Sequence, residues 1–133
     1  NYSTIGLEYV RDPKRFGIVE LDKDKIVRFV EKPSDPPSNL ALIGIYYISS
    51  QKDLFRGIEY LIENNIRTKN EYQLTDAFEI MLSEGHKFVP FEIDCSLDCG
   101  IPEAIFSTNK TLLQRKEENA ISDTSSIVNS ELT

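Results

Sequence analysis

The sequence predicts an α/β fold, a mixed β-sheet with flanking helices. Three observations carry this. Strand-type alternation and β-rich runs fill the first third, two segments of 3.6-residue apolar periodicity follow, and a further strand leads into a helix opened by proline. At 133 residues, with 40% hydrophobic and 28% charged, the composition is that of one ordinary soluble domain able to bury a core.

Ile5, Leu7 and Tyr9 alternate with Gly6 and Glu8, which is the period of a half-buried strand. Phe16 to Leu21 and Ile26 to Val30 flank Asp22-Lys23-Asp24-Lys25 and read as a hairpin. In Lys32-Pro33-Ser34-Asp35-Pro36-Pro37-Ser38 three prolines remove ladder donors and force a surface loop. Leu40 to Ile48 has no polar alternation, so it is expected at the centre of the sheet, buried on both faces.

A Ser50-x-x-Asp53 start signal precedes a stripe of Leu54, Phe55, Ile58, Leu61 and Ile62. A second stripe, Leu74, Ala77, Phe78, Met81 and Leu82, is stopped by Gly85. Lys87 to Ile93 reads as a strand. Pro102 then opens a third helix, with Glu103 in its first turn and Arg115 and Lys116 near its end, where each suits the helix dipole. Its apolar pairs are Ile105 with Leu112 and Phe106 with Leu113. From Asn119 onward Ser, Thr, Asn and Asp dominate, as in a linker or frayed end. Ile121 and Ile127 are spaced like the first rungs of a hexapeptide β-helix.

Several functions are disfavoured. The net charge of −7, with Lys and Arg dispersed among acids, argues against a nucleic-acid partner. The longest apolar run has nine residues, about half of what a membrane-spanning helix needs, so no membrane association is expected. The start, Asn1-Tyr2-Ser3-Thr4, is not of signal-peptide type, and a cytoplasmic location is the expectation. Met81 is the only methionine, which suggests a processed chain or a piece of a longer one. Cys95 and Cys99 share the chain with one histidine, His86; Cys and His alone cannot supply four zinc ligands. The six glycines are never closer than eleven positions, so no glycine-rich phosphate loop can be written within the chain.

Four clusters carry chemistry beyond a generic fold. Asp12-Pro13-Lys14-Arg15-Phe16-Gly17 reads alone as a turn. Glu31-Lys32-Pro33 places a carboxylate, which accepts from hydroxyls, beside an ammonium, which pairs with phosphate. Strand alternation would send the two to opposite faces, but proline can twist the strand end so that both line one pocket; taken alone, the pair reads better as a solvated edge. Lys69-Asn70-Glu71-Tyr72-Gln73-Leu74-Thr75-Asp76 sits ahead of a helix that Asn70, Thr75 or Asp76 could cap. Asp94-Cys95-Ser96-Leu97-Asp98-Cys99-Gly100 places acids at a strand end, either in a turn or, through Asp98, as one carboxylate for a hard cation.

In order, Asp12-Pro13-x-x-Phe16-Gly17, Glu31-Lys32-Pro33, Ser38-Asn39-Leu40-Ala41-x-x-Gly44-x-Tyr46, Glu71-x-x-x-Thr75-Asp76 and Asp98-x-Gly100 resemble the sugar-1-phosphate nucleotidylyltransferases. These include glucose-1-phosphate thymidylyltransferases and uridylyltransferases. The resemblance runs from about Ser3 to Leu113. It implies a nucleotide-diphospho-sugar transferase type of fold. The reaction is attack of a sugar-1-phosphate on the α-phosphate of a nucleoside triphosphate, releasing pyrophosphate with Mg2+ as cofactor.

By resemblance, Glu31 holds sugar hydroxyls, Lys32 the sugar phosphate and Glu71 a further hydroxyl. Gly17 lets the sugar approach the backbone, the strand from Asn39 to Tyr46 lines the pocket, and Asp98 matches a metal-binding aspartate. Ser96 stands where many relatives carry tryptophan. The family's amino-terminal half, with its glycine-rich nucleotide loop and first metal-binding aspartate, has no counterpart in the motifs, so no complete catalytic set is expected here. Residues 1–118 are thus expected to be the sugar-phosphate-binding part of a catalytic domain, inactive alone, and 119–133 a polar linker leading toward a left-handed β-helix. Apolar surface and strand edges left open favour a dimer or higher oligomer. The alternative is a non-catalytic sugar-phosphate-sensing or assembly module.

Overall fold

A computed structural model describes residues 2–97 and 99–115. The elements are β1 (Ser3–Tyr9), a turn of 3-10 helix (Pro13–Arg15), β2 (Gly17–Asp22), β3 (Lys25–Glu31), β4 (Leu40–Tyr47), α1 (Gln51–Glu63), α2 (Leu74–Ser83), β5 (Phe88–Glu92) and α3 (Pro102–Gln114). They fall into two units. Asn1–Ser96 holds every described strand with α1 and α2, and Leu97–Thr133 holds α3. The 119–133 segment, with its linker and β-helix expectations, lies outside the described residues, as does Lys116. Among the described residues no helix is long and apolar enough to cross a membrane.

The five strands close into a ring in the order β1-β4-β2-β3-β5. β1 runs antiparallel to β4 and parallel to β5, so the sheet is mixed, as expected. The ring is thin at two places: β2 meets β4 only at Ile18 and Ala41, and β3 meets β5 only at Ile26 and Phe88. At these two seams one residue pair each closes the ring, so the strand edges there are only partly covered.

The predicted hairpin forms, with Gly17 opposite Glu31 and Val19 opposite Phe29. Its turn is carried by Lys23, at φ 54. The register shifts where Leu21 pairs with Ile26 while Glu20 pairs with Arg28, leaving Val27 as the extra residue of a bulge. One extra residue flips the facing of a strand. That is why Ile26 and Phe29, three apart, are both buried while Val27 is exposed.

β4 departs from expectation. It does lie between two strands, yet only Ala41 and Leu42 are fully buried, and Ile45 and Tyr47 are 54% and 65% exposed. Between the Ile5–Tyr46 and Leu7–Leu42 pairs, Gly6 alone faces Ile43, Gly44 and Ile45, and Gly44 takes φ 80. Bulged, left-handed backbone turns Ile45 and Tyr47 outward while Tyr46 packs on the core, so the uninterrupted apolar run does not mean double-sided burial.

The helices end as their sequences direct. Ser50 caps α1 by accepting the Asp53 N–H at 3.3 Å. After α2, Gly85 at φ 90 donates to the Leu82 carbonyl and His86 to that of Met81, a Schellman closure. α1 closes the same way with asparagine: Asn65, at φ 50, donates to Ile62 and Ile66 donates to Leu61. Of the predicted α1 stripe Leu61 is buried, but Phe55 and Ile62 are exposed. The contact face is set by Gly57, where a Cβ would stand 3.0 Å from the Ala77 carbonyl of α2. In α2, Ala77, Phe78 and Met81 are buried as expected, whereas Leu74 is exposed and Thr75 takes the inward place. In α3, which opens at Pro102, the expected pairs Ile105–Leu112 and Phe106–Leu113 are all exposed.

The core gathers Ile5, Leu7, Val19, Ile26, Phe29, Leu42, Phe78, Met81 and Phe88. Phe78 is its hub, meeting Tyr46 at 5.1 Å, Phe29 at 5.6 Å and Phe88 at 5.7 Å between ring centroids. At one end of the ring, buried Ser3 joins His86 Nε2 at 2.7 Å and accepts the Ser49 N–H at 3.0 Å. His86 Nδ1 lies 3.3 Å from Asp53, so the first residue of β1, the end of β4, the start of α1 and the α2–β5 link are tied together. The Ser50 contact, then His86 and Arg56, hold the Asp53 carboxyl below its ordinary range.

Phe78→Ala removes a fully buried ring that meets Phe29, Tyr46 and Phe88. It is expected to cost about 3–5 kcal/mol in urea unfolding, against a much smaller loss for Phe106→Ala on exposed α3.

Candidate functional site

β2, β3, β4 and α2 bring one polar cluster together. Gly17 begins β2 and pairs with Glu31 at the end of β3. A Cβ at Gly17 would stand 2.6 Å from Thr75 Oγ1 and 2.8 Å from Glu31 Oε2. Glycine is thus needed so that the first turn of α2 and the Glu31 carboxylate can close over the hairpin. The space beside Gly17 is filled by protein groups.

Lys32 takes φ 42, and its N–H donates to the Phe16 carbonyl at 2.9 Å. This left-handed residue ends the strand alternation and turns the ammonium toward its neighbour, so Lys32 Nζ lies 3.4 Å from Glu31 Oε1. The Glu31 side chain is only 7% exposed and that of Lys32 34%. The carboxylate is therefore held inside while the ammonium stays partly open to solvent. Pro33 is buried behind them.

Tyr46 stands half-buried against Phe78, and burial followed by the Glu31 charge pushes its phenol up from the ordinary value. Asp76 is raised as well, by burial first and then by Glu31, while a hydrogen bond from Thr68 opposes the rise. Asp76 accepts that Thr68 hydroxyl at 2.8 Å. Neither Thr75 nor Asp76 caps α2: the N-cap is Gln73, with no side-chain hydrogen bond to the helix. The Thr-Asp pair in a polar run ahead of an apolar stripe was the available signal for their place in the cluster.

Two other expected site residues have different surroundings. Asn39 Nδ2 donates to the Val10 carbonyl at 2.8 Å and so pins the end of β1 to the start of β4. Glu71 is exposed, accepts from Gln73 Nε2 at 2.9 Å, and belongs to a tight hairpin in which Thr68 and Glu71 exchange both backbone hydrogen bonds. The Asp12–Gly17 segment is a turn, with Pro13–Arg15 as one 3-10 turn whose N-cap, Asp12, makes no side-chain cap. In the fourth cluster, the Ser96 hydroxyl and N–H meet the Glu8 carboxylate, and Cys95 and Cys99 are free thiols. Asp98 lies outside the described residues. Among the described residues, no three His, Cys, Asp or Glu side chains gather as a metal site.

A buried carboxylate, a half-open ammonium and a phenol beside it form a set of groups that can accept from hydroxyls and pair with an anion. The profile of the nucleotidyl transferase family matches residues 2–115, and the chain belongs to that family. The low-salt glycan biosynthesis nucleotidyltransferase of Haloferax volcanii is 34% identical over 84% of this chain and 30% of its own length. A glucose-1-phosphate thymidylyltransferase of Streptomyces antibioticus is 31% identical over the same shares. The structure of an apo UDP-glucose pyrophosphorylase superposes with a TM-score of 0.66 at 29% identity, over 86% of this chain and 44% of that one. The chain therefore spans about a third of the length of these curated relatives and under half of the solved structure. The resemblance read from the sequence, to sugar-1-phosphate nucleotidyltransferases, and the α/β fold both hold.

Because the folded state raises Asp76, it binds this proton more readily than the unfolded chain. The ionised group therefore costs stability, and that cost appears as pH rises from the ordinary Asp range through the raised value. Asp76→Asn, which keeps an acceptor for Thr68, is expected to gain in melting temperature relative to the unaltered chain as pH goes from about 3.5 to 7. A pH-independent difference would mean that the charge carries no cost.

Proposed function

We propose that this chain is the sugar-phosphate-holding part of a nucleotidyltransferase that couples a sugar-1-phosphate, glucose-1-phosphate first among them, to a nucleoside triphosphate. The observation that carries this is the Glu31–Lys32 pair at the end of β3, an enclosed acceptor beside an accessible cation. Glu31 accepts sugar hydroxyls, Lys32 pairs with the phosphate, and Gly17, Asn39 and Tyr46 shape the wall. Glu71 reaches a further hydroxyl from the 68–71 hairpin. The names of the Streptomyces relative and of the superposed structure, both of which act on glucose derivatives, support the choice of sugar.

In the reaction, an oxygen of the sugar phosphate attacks the α-phosphorus of the triphosphate as the bond to pyrophosphate breaks. This needs no covalent enzyme intermediate, because alignment and charge neutralisation lower most of the barrier. Lys32 offsets charge on the attacking phosphate and Glu31 orients the sugar. Asp98 would be this chain's carboxylate for Mg2+, which when bound would supply charge neutralisation at the triphosphate. Within these 133 residues no glycine-rich loop cradles a triphosphate, so we assign this chain sugar binding without turnover.

Given glucose-1-phosphate, Mg2+ and dTTP or UTP, the chain is expected to release no pyrophosphate above blank, while calorimetry detects glucose-1-phosphate binding. Glu31→Gln and Lys32→Ala should each weaken that binding about tenfold, on the scale of one hydrogen bond to a charged group. Undiminished binding in both variants would overturn the site.

Tyr9, Ile45 and Tyr47 are large apolar side chains left exposed on β1 and β4, and exposed apolar surface favours a dimer or higher oligomer. Light scattering at high concentration is expected to show self-association, and a clean monomer would contradict it.

A further inference from the structure

The 68–71 hairpin is short and conformationally costly. Its two central residues, Lys69 at φ 54 and Asn70 at φ 67, are both left-handed, the requirement of a type I′ turn that glycine meets most easily. Two backbone hydrogen bonds, 3.0 and 3.1 Å, close it. That is too little to hold such a turn in one place, since an isolated two-stranded hairpin is marginal in water. Two side-chain clamps flank it. On one flank the Arg67 guanidinium lies 4.4 Å over the Tyr72 ring and bonds Asn65. On the other, the Thr68 hydroxyl donates to Asp76 in the first turn of α2.

That second clamp links the hairpin to the site. Asp76 adjoins Thr75, whose hydroxyl faces the place where Gly17 and Glu31 meet, and the Glu31 charge is felt at Asp76 itself. Asp76 is not spent on capping, because the α2 N-cap is Gln73. We propose that Asp76 is a positioning residue, latching the 68–71 hairpin through the Thr68 hydroxyl onto the first turn of α2 and so fixing Glu71 relative to Glu31. Asp76 acts through Thr68 and Glu71 and touches no ligand. The proposal rests on the sugar-site reading above.

The test separates the latch from the charge of Asp76 at a helix N-terminus, which Thr68→Val leaves in place. With the 133-residue chain, Thr68→Val is expected to weaken glucose-1-phosphate binding about tenfold and to speed exchange of the Glu71 amide by a similar factor. Thr68→Ser, which keeps the hydroxyl, should restore both. Asp76→Ala should reproduce the Thr68→Val losses and Asp76→Asn should not, with melting temperatures within a few degrees throughout. If the unaltered chain binds glucose-1-phosphate and Thr68→Val binds equally well, or the Glu71 amide exchanges no faster, the latch is wrong and the sugar site stands. If the unaltered chain takes up no glucose-1-phosphate at millimolar concentration, the sugar-site reading fails and this proposal with it.

Discussion

The inward face of α2 is the constraint on which the rest depends. Phe78 and Met81 on that face fill the strand ring, and Thr75, one turn earlier, meets the hairpin at Gly17. Residues three apart on a helix share a face, so the packing that seats Phe78 among Phe29, Tyr46 and Phe88 also sets where Thr75 and Asp76 stand. Core and site are then one arrangement. A shift of α2 along its axis would carry Thr75 away from Glu31 at the same time as it emptied the ring.

Much of this was legible because the local chemistry left few choices. The Asp22–Lys25 turn, the Ser50 cap, the Gly85 stop and Pro102 at a helix start each act within a few residues, and each works as the sequence indicates. Glu31 and Lys32 were legible as a pair, although the agent that brings them to one side is the left-handed backbone of Lys32 itself. What resisted reading was non-local. An extra residue at Val27 and the irregularity at Gly44 change which side chains face inward, and a uniformly apolar run such as Leu40–Tyr47 has no pattern to betray it. The contacts of Asn39, Thr75 and Asp76 could not be read locally, since their partners Val10, Gly17, Glu31 and Thr68 come from other segments.

Charge is distributed with similar economy. In a chain of net charge −7, Glu31 influences both Tyr46 and Asp76, while Lys32 stands beside it with its ammonium partly open. On the proposed reading, a phosphate arriving at Lys32 would enter a neighbourhood where carboxylates repel it unless its position is well defined. Under that proposal, specificity for a ligand that brings hydroxyl donors to the carboxylates and an anion to the lysine would follow from that tension.

The ring also gives assembly a direction. The hairpin of β2 and β3 joins residues close in sequence, whereas β1 meets β5 through Ser3 and Phe88, nearly the whole length of the unit apart. Loop-closure entropy must be met before distant pairing returns anything. The parallel β1–β5 seam, and with it the Ser3–His86–Asp53 tie, can therefore contribute only once the intervening strands and helices have drawn the two ends together. Its role in the mature fold is that of a fastening between the two ends of the unit, which binds a set of local structures to one another.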